Sequence, residues 1–255
     1  MRRLVTIPIS HFCEKARWAL ERAGLEYREE RHVQGIHRIA SRRAGGSGTV
    51  PVLVADEGVF GESEEILRYA DERLEEGERL FPADGELGDD VVRVCRGLDA
   101  GLGPDGRRLI YAHMLPNKQL MLPYNNQGVP GWEDRAFRLL WPLAERWGRR
   151  ELGIVPTTLR DDEPRVLRAF DEVAERLSDG RPYLCGERFT AADLTFACLA
   201  AAVTAPPEYG VRLPQPDELP KSIANDLRPF REHPAGAFAL RLFRDERRAS
   251  VRSLV

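Results

Sequence analysis

A chain of 255 residues, 42% of them hydrophobic, has the length for two ordinary domains with real cores. Its 38 basic and 41 acidic residues leave a net charge of −3 with no long single-sign run, which excludes the electrostatic footprint of a nucleic-acid binder and points to a small-molecule or protein partner. Cys13, Cys95, Cys185 and Cys198 form no CxxC pair or zinc spacing, and the apolar stretch in MRRLVTIPISH is too short for a signal peptide, so no metal, no membrane partner and a cytoplasmic location are expected.

In chain order, LVTIPI (4 to 9) predicts a buried strand and EKARWALERAG (14 to 24) a helix closed by Gly24. EYREERHV alternates as a second strand, and the stretch 34 to 48 reads as a loop with room for a short helix. TVPVLVAD and GVFG form a hairpin across Glu57 and Gly58. SEEILRYADERLEEG follows as an amphipathic helix with Ile66, Leu67, Tyr69, Ala70 and Leu74 inward. Strand, helix and strand imply a parallel pair, and the hairpin adds antiparallel strands. Residues 1 to 80 are therefore expected to form an α/β domain with a mixed four-stranded sheet, βαβ then ββα.

LFPADGELGDD supplies a linker over 81 to 88, and helical periodicity makes 89 to 255 an all-α domain. Its helices are expected near 89 to 102, 106 to 115, 132 to 150, 163 to 178, 190 to 204 and 235 to 248. The segment 115 to 132, with three prolines, reads as a long ordered loop, and 205 to 221 as a proline-rich connection.

The start of the first helix is where chemistry is most readable. Helical spacing puts Cys13, Ala16 and Leu20 on the face that covers the sheet, so Cys13 is expected inside, where a thiol has a raised pKa and is inert. Ser10 stands at the N-cap. Its hydroxyl either caps the helix, worth about 1 kcal/mol, or helps the helix N-terminus hold an anion or a ligand thiolate. His11 reads as a solvent-exposed helix residue ahead of a proton donor.

Pro51 in TVPVL removes a ladder hydrogen bond from a strand-like run, which fits either an edge strand or a cis Val50–Pro51 bond that frees the Val50 backbone for a ligand. In GESEEILRYA, Ser63 is a natural N-cap and Glu62, Glu64 and Glu65 suit the helix dipole. Ser63 and Glu62 also form a pair able to read the carboxylate and the ammonium of an amino acid.

SHFCEKARWAL, TVPVL and ESEEILRYAD, in this order and followed by an all-α domain, resemble the cytosolic glutathione transferase family. The likeness is strongest over residues 4 to 76, which resemble the family's thioredoxin-like glutathione-binding domain, and returns at YLCGERFTAADLTFACLAA. There Thr190 and Asp193 form a capping box, with Phe189 and Leu194 at staple positions. The resemblance implies a homodimeric detoxification enzyme with glutathione as co-substrate, joining its thiolate to a small-molecule electrophile or reducing a peroxide.

By that resemblance Val50, beside a cis Pro51, pairs with the cysteinyl unit, Glu62 and Ser63 hold the γ-glutamyl end, and Ser10 takes the catalytic hydroxyl position. Cys13 matches the second cysteine of the CxxC found in cysteine-type members. It is the alternative catalyst, for thiol–disulfide exchange; a non-catalytic glutathione- or ligand-binding protein is the third reading. His11 departs from the Pro or Ser of many serine-type members, and no subclass is assigned. The 115 to 132 insertion is expected to close over the electrophile pocket, with His11, Phe12, Tyr111, Met114, Leu115 and Tyr124 in its lining.

Overall fold

The computed structural model describes residues 1–83 and 85–247. Strands β1 (Arg2–Thr6), β2 (Tyr27–Arg31), β3 (Val52–Ala55) and β4 (Gly58–Phe60) form one sheet in the order β2-β1-β3-β4. β1 and β2 are parallel, with Leu4 opposite Glu29; β1 and β3 are antiparallel, with Leu4 opposite Leu53; β3 and β4 close the antiparallel hairpin. This is the mixed sheet that the element order predicts. The apolar run 4 to 9 is only partly strand, because Pro8 has no N–H for a ladder and the chain turns after Thr6. The hairpin turn lies at Asp56 and Glu57, one residue earlier than expected, with Gly58 paired to Ala55.

Helices α1 (His11–Arg22) and α3 (Ser63–Asp71) cover one face of the sheet, and α2 (Ile36–Arg43) lies against the other. Strand alternation sorts the core accordingly: Leu4 and Leu53 join Ala16, Leu20, Ile66 and Leu67, whereas Val5 and Val52 form a second cluster with Ala44. α1 ends in a Schellman motif. Gly24, at φ +63°, sends its N–H to the Glu21 carbonyl (3.1 Å), and Leu25 sends its own to Leu20 (2.9 Å).

The second half is helical: α4 (Gly85–Ala100), α5 (Leu102–Met114), α6 (Lys118–Asn125), α7 (Gly131–Leu139), α8 (Trp141–Glu151), α9 (Thr158–Arg176), α10 (Ala191–Thr204), α11 (Lys221–Glu232) and α12 (Pro234–Leu242). A short π-helical turn, Phe243–Arg247, follows, and position 248 of the expected last helix lies outside the described residues. α10 is the buried axis, packed against α1, α4, α5 and α12. Burial of Leu194, Phe196 and Leu199 contributes about 1.5–3 kcal/mol each. Its start is fixed by Asp193, which accepts from the Thr190 amide (2.8 Å), the Thr190 hydroxyl (2.9 Å) and the Leu184 amide (2.8 Å).

Five helical expectations need correction, each for a proline; the first is α5, which begins four residues before the expected 106 and holds Pro104 in its first turn. The loop expected over 115 to 132 contains α6, which keeps Pro123 because Met121, Leu122 and Tyr124 are buried, the first two in a satellite core with Met114, Phe137 and Trp141. The single helix expected over 132 to 150 is two helices broken at Leu140, since Pro142 cannot donate to the Arg138 carbonyl; Lys118 Nζ donates to it instead, at 2.8 Å. α9 begins five residues before the expected 163 and runs through Pro164. α11, which contains Pro229, is a helix that periodicity missed. α4 also starts at Gly85, inside the expected linker.

Asp193→Ala should cost about 3 kcal/mol, because three donors lose a buried acceptor, while Thr190→Ala should cost about 1 kcal/mol. Urea unfolding followed by circular dichroism checks the order; equal small losses would contradict the assigned role of Asp193.

Candidate active site

Ser10 sits at the N-cap of α1 with extended backbone (φ −71°, ψ 122°), and its Oγ accepts from the Cys13 amide at 3.4 Å. The turn leading to it is held through its carbonyls. Arg17 Nη2 donates to Pro8 O (2.9 Å) and Ile7 O (3.4 Å), and the Tyr209 hydroxyl donates to Ile9 O (3.3 Å). Arg17 is itself buried and bonded to Glu29 (2.7 Å) and Glu14 (3.1 Å). Burial pulls its guanidinium down, yet Glu29 and Glu14 hold it above its ordinary value. Glu14 also accepts from the Gly210 amide and from Arg247 Nε, both at 3.0 Å.

Cys13 is fully buried, as the helix projection predicts. Burial pushes its thiol up, against the opposing pull of Arg17. His11 differs from expectation. It is 5% exposed, its Nε2 is buried without a partner, and its ring packs on Phe12 with centroids 4.6 Å apart. The first turn of α1 is covered by α5: a Cβ at Gly103 would meet Phe12 Cζ at 2.7 Å. Burial, then the charges of Arg107 and Lys15, depress the His11 pKa to about 3. His37, which accepts from the Gly35 amide, is lowered to about 4 by burial and by Arg38.

Ser10, His11 and Phe12 open on a cavity of about 330 Å³. Val50 lines it from the sheet domain, preceding a cis Val50–Pro51 bond, and Tyr111, Met114, Leu115 and Tyr124 line it from α5 and α6. Eight of the expected site residues thus share one cavity. Cys13, Pro51, Glu62 and Ser63 do not line it. Glu62, not Ser63, is the N-cap of α3, with Glu65 Oε2 accepting from the amides of Gly61 (2.8 Å) and Glu62 (3.2 Å); Ser63 is the buried first helical residue. The Glu62 carboxyl is raised by burial and by the charges of Glu65 and Asp99.

Sequence reasoning missed the polar contacts around the cavity; of the residues that make them, Gln34 and Tyr111 line it. Gln34, after β2, donates to Tyr111 Oη (3.0 Å) and Asn125 Oδ1 (2.6 Å), and Glu133 of α7 binds His32 Nδ1 (2.7 Å) and the Val33 amide (3.1 Å). These contacts seat α6 and α7 beside the sheet domain. Arg107 and Arg38 also line the cavity, with Trp141 and Trp147. For Arg107 a signal existed, since residues 107, 111 and 114 fall on one helical face. Among the described residues, no cluster of His, Cys, Asp and Glu has the makings of a metal site, and no helix is long and apolar enough to cross a membrane.

Residues 4–78 match the model of the glutathione S-transferase N-terminal domain, and residues 156–233 that of the C-terminal domain. No curated protein matches the chain significantly. Among solved structures, a glutathione S-transferase of Methylobacillus flagellatus KT with GSH bound aligns at a TM-score of 0.61 and 15% identity, covering 100% of this chain and 99% of that one. Beta-etherase LigF from Sphingobium sp. strain SYK-6 aligns at 0.59 and 18%, covering 93% and 98%. A glutathione S-transferase from Xanthobacter autotrophicus Py2 aligns at 0.57 and 19%, covering 94% and 91%. The shared fold is a thioredoxin-like domain followed by an all-α domain.

Neutral burial of His11 has a pH consequence. Its folded pKa lies below the ordinary 6.5, so the unfolded chain binds the extra proton and stability falls as pH drops through that value. Down to about pH 4 the loss from this one group is roughly 3 kcal/mol. Urea titrations should show wild type losing stability relative to His11→Gln across that window; parallel pH profiles would contradict it.

Proposed function

The chain belongs to the glutathione S-transferase family, and from that premise we propose that it binds glutathione at the N-terminus of α1 and uses the Ser10 hydroxyl to hold the thiolate for attack on a small electrophile. The observation that carries this reading is the placement of Ser10, an N-cap residue that also lines the cavity. Its Oγ receives the Cys13 N–H on a lone pair, which leaves its own proton for the sulfur. Val50, in the same lining, offers its backbone to the cysteinyl unit beside Pro51. At the start of α3, the carboxyl groups of Glu62 and Glu65 supply negative charge for the γ-glutamyl ammonium, and the proposal assigns the adjoining carboxylate to Ser63.

Lowering a thiol pKa by about two units requires about 2.7 kcal/mol. A hydrogen bond to a charged group supplies about 1.5–3 kcal/mol and a helix N-terminus about 0.3–1 kcal/mol, so no general base is needed. The thiolate then forms a C–S bond as the leaving group departs with its electron pair. With a peroxide it forms an S–O bond as the O–O bond breaks, and a second glutathione displaces the oxygen to give a disulfide and water. The apolar side chains of Met114, Leu115 and Tyr111 favour a hydrophobic electrophile. Complete burial of Cys13 weighs against a thiol–disulfide exchanger, which needs an accessible thiolate.

Ser10→Ala should lower kcat/KM for conjugation about 10- to 100-fold and raise the bound thiol pKa, with glutathione affinity little changed; thiolate absorbance and steady-state kinetics read both. Cys13→Ala should keep most activity. The reverse pattern would move the chemistry to Cys13.

A further inference from the structure

Arg107 is a cation in the cavity wall without a counter-ion. It stands on α5 one turn before Tyr111, and both side chains line the cavity. Its Nε is buried with no hydrogen-bond partner, and among the described residues no carboxylate pairs with its guanidinium. The neighbouring arginines each have a carboxylate partner. Arg108 takes Asp162 (2.8 Å) and Asp105, while Arg38 takes Glu151 and lies over the Trp147 ring at 5.3 Å. Glu151 therefore already serves one arginine and acts on Arg107 only at a distance. Two further residues of the lining carry an unpartnered buried nitrogen, Nε2 of His11, which is 5% exposed, and Nε of Arg38. A partly buried guanidinium with no carboxylate beside it attracts an anion that enters the cavity.

We propose that Arg107 reads a carboxylate on the second substrate, so that the electrophile is an apolar, aromatic acid rather than a neutral compound. A guanidinium presents a planar fork that a carboxylate matches with two hydrogen bonds, whereas an amide or ester does not carry the charge. Aromatic side chains at Phe12, Tyr111 and Trp141 suit the ring that would bear the acid. The inference rests on the transferase reading for its reaction: the thiolate attacks the ring carbon, the C–S bond forms, and chloride or another leaving group departs with its electron pair.

The test compares chloronitrobenzoate with chloronitrobenzamide, the chloride para to the acid or amide in both. Equilibrium binding is read first, by quenching of tryptophan fluorescence with unreactive S-methylglutathione present, since Trp141 and Trp147 line the cavity. Wild type should bind the acid at least about tenfold more tightly than the amide. Arg107→Gln should lose that preference, and Arg107→Lys should retain part of it, with the folds checked by circular dichroism. Conjugation rates, each divided by the uncatalysed rate, should show the same pattern, with KM for glutathione unchanged. Equal binding of the two compounds by wild type, or a preference that survives in Arg107→Gln, overturns the proposal. So does a uniform loss on both electrophiles with weaker S-methylglutathione binding, which would assign Arg107 to the thiol substrate. A preference for the acid that depends on Arg107 in a protein that forms no conjugate would sustain this inference and sink the transferase reading instead.

Discussion

The site depends on one buried guanidinium. Arg17 reaches back from the second turn of α1 to the carbonyls of Ile7 and Pro8, and so fixes the turn that delivers Ser10 to the cavity. Glu14 and Glu29 offset the cost of burying its charge. Removing one member of such a buried set leaves the others unpaired and costs about 3–5 kcal/mol, against about 0–1 kcal/mol for an exposed pair such as Arg160–Asp161. On a total stability of about 5–15 kcal/mol that is a large share. The same Glu14 accepts from Gly210 and Arg247, so the chain after α10 and the turn after α12 are tied to the helix that carries the candidate catalyst. The sheet domain and the helical domain thus share a charge cluster as well as an apolar interface.

Around that fixed point the cavity is assembled from two sources. The sheet domain contributes the rigid edge, Ser10 and Val50, while α5 to α8 contribute the apolar wall. The helical wall is seated by polar contacts, Gln34 to Asn125 and Glu133 to His32 and Val33, and by the satellite core around Met121 and Trp141. In the proposed reading, thiol recognition falls to the sheet domain. The second substrate then meets helices that present Arg107 beside apolar side chains.

Local signals made much of this legible in the sequence. The cap at Ser10, the Gly24 stop, the Thr190–Asp193 box and the strand at Leu4 to Thr6 each lie within a few residues, and each is present in the structure. The inward face of Cys13 followed from helical spacing alone. What escaped was decided by distant contacts. His11 looked exposed because nothing near it announces that α5 crosses over the first turn of α1. α6 looked like a loop and α11 went unassigned because Pro123 and Pro229 outweighed the burial that tertiary packing gives Met121, Leu122, Ile223 and Leu227. Ser63 was a better cap than Glu62 by residue type, yet Glu65 reaches back to the amides of Gly61 and Glu62 and sets the helix start one residue earlier. The lack of a partner for Arg107 is a property of the folded surroundings and has no sequence signature.

The most direct measurement of the central claim is a crystal structure of the protein with glutathione bound. The account requires the sulfur within about 3.5 Å of Ser10 Oγ, with the Cys13 thiol behind the helix face and out of contact. A sulfur directed at Cys13, joined to it, or bound away from the N-terminus of α1 would contradict it.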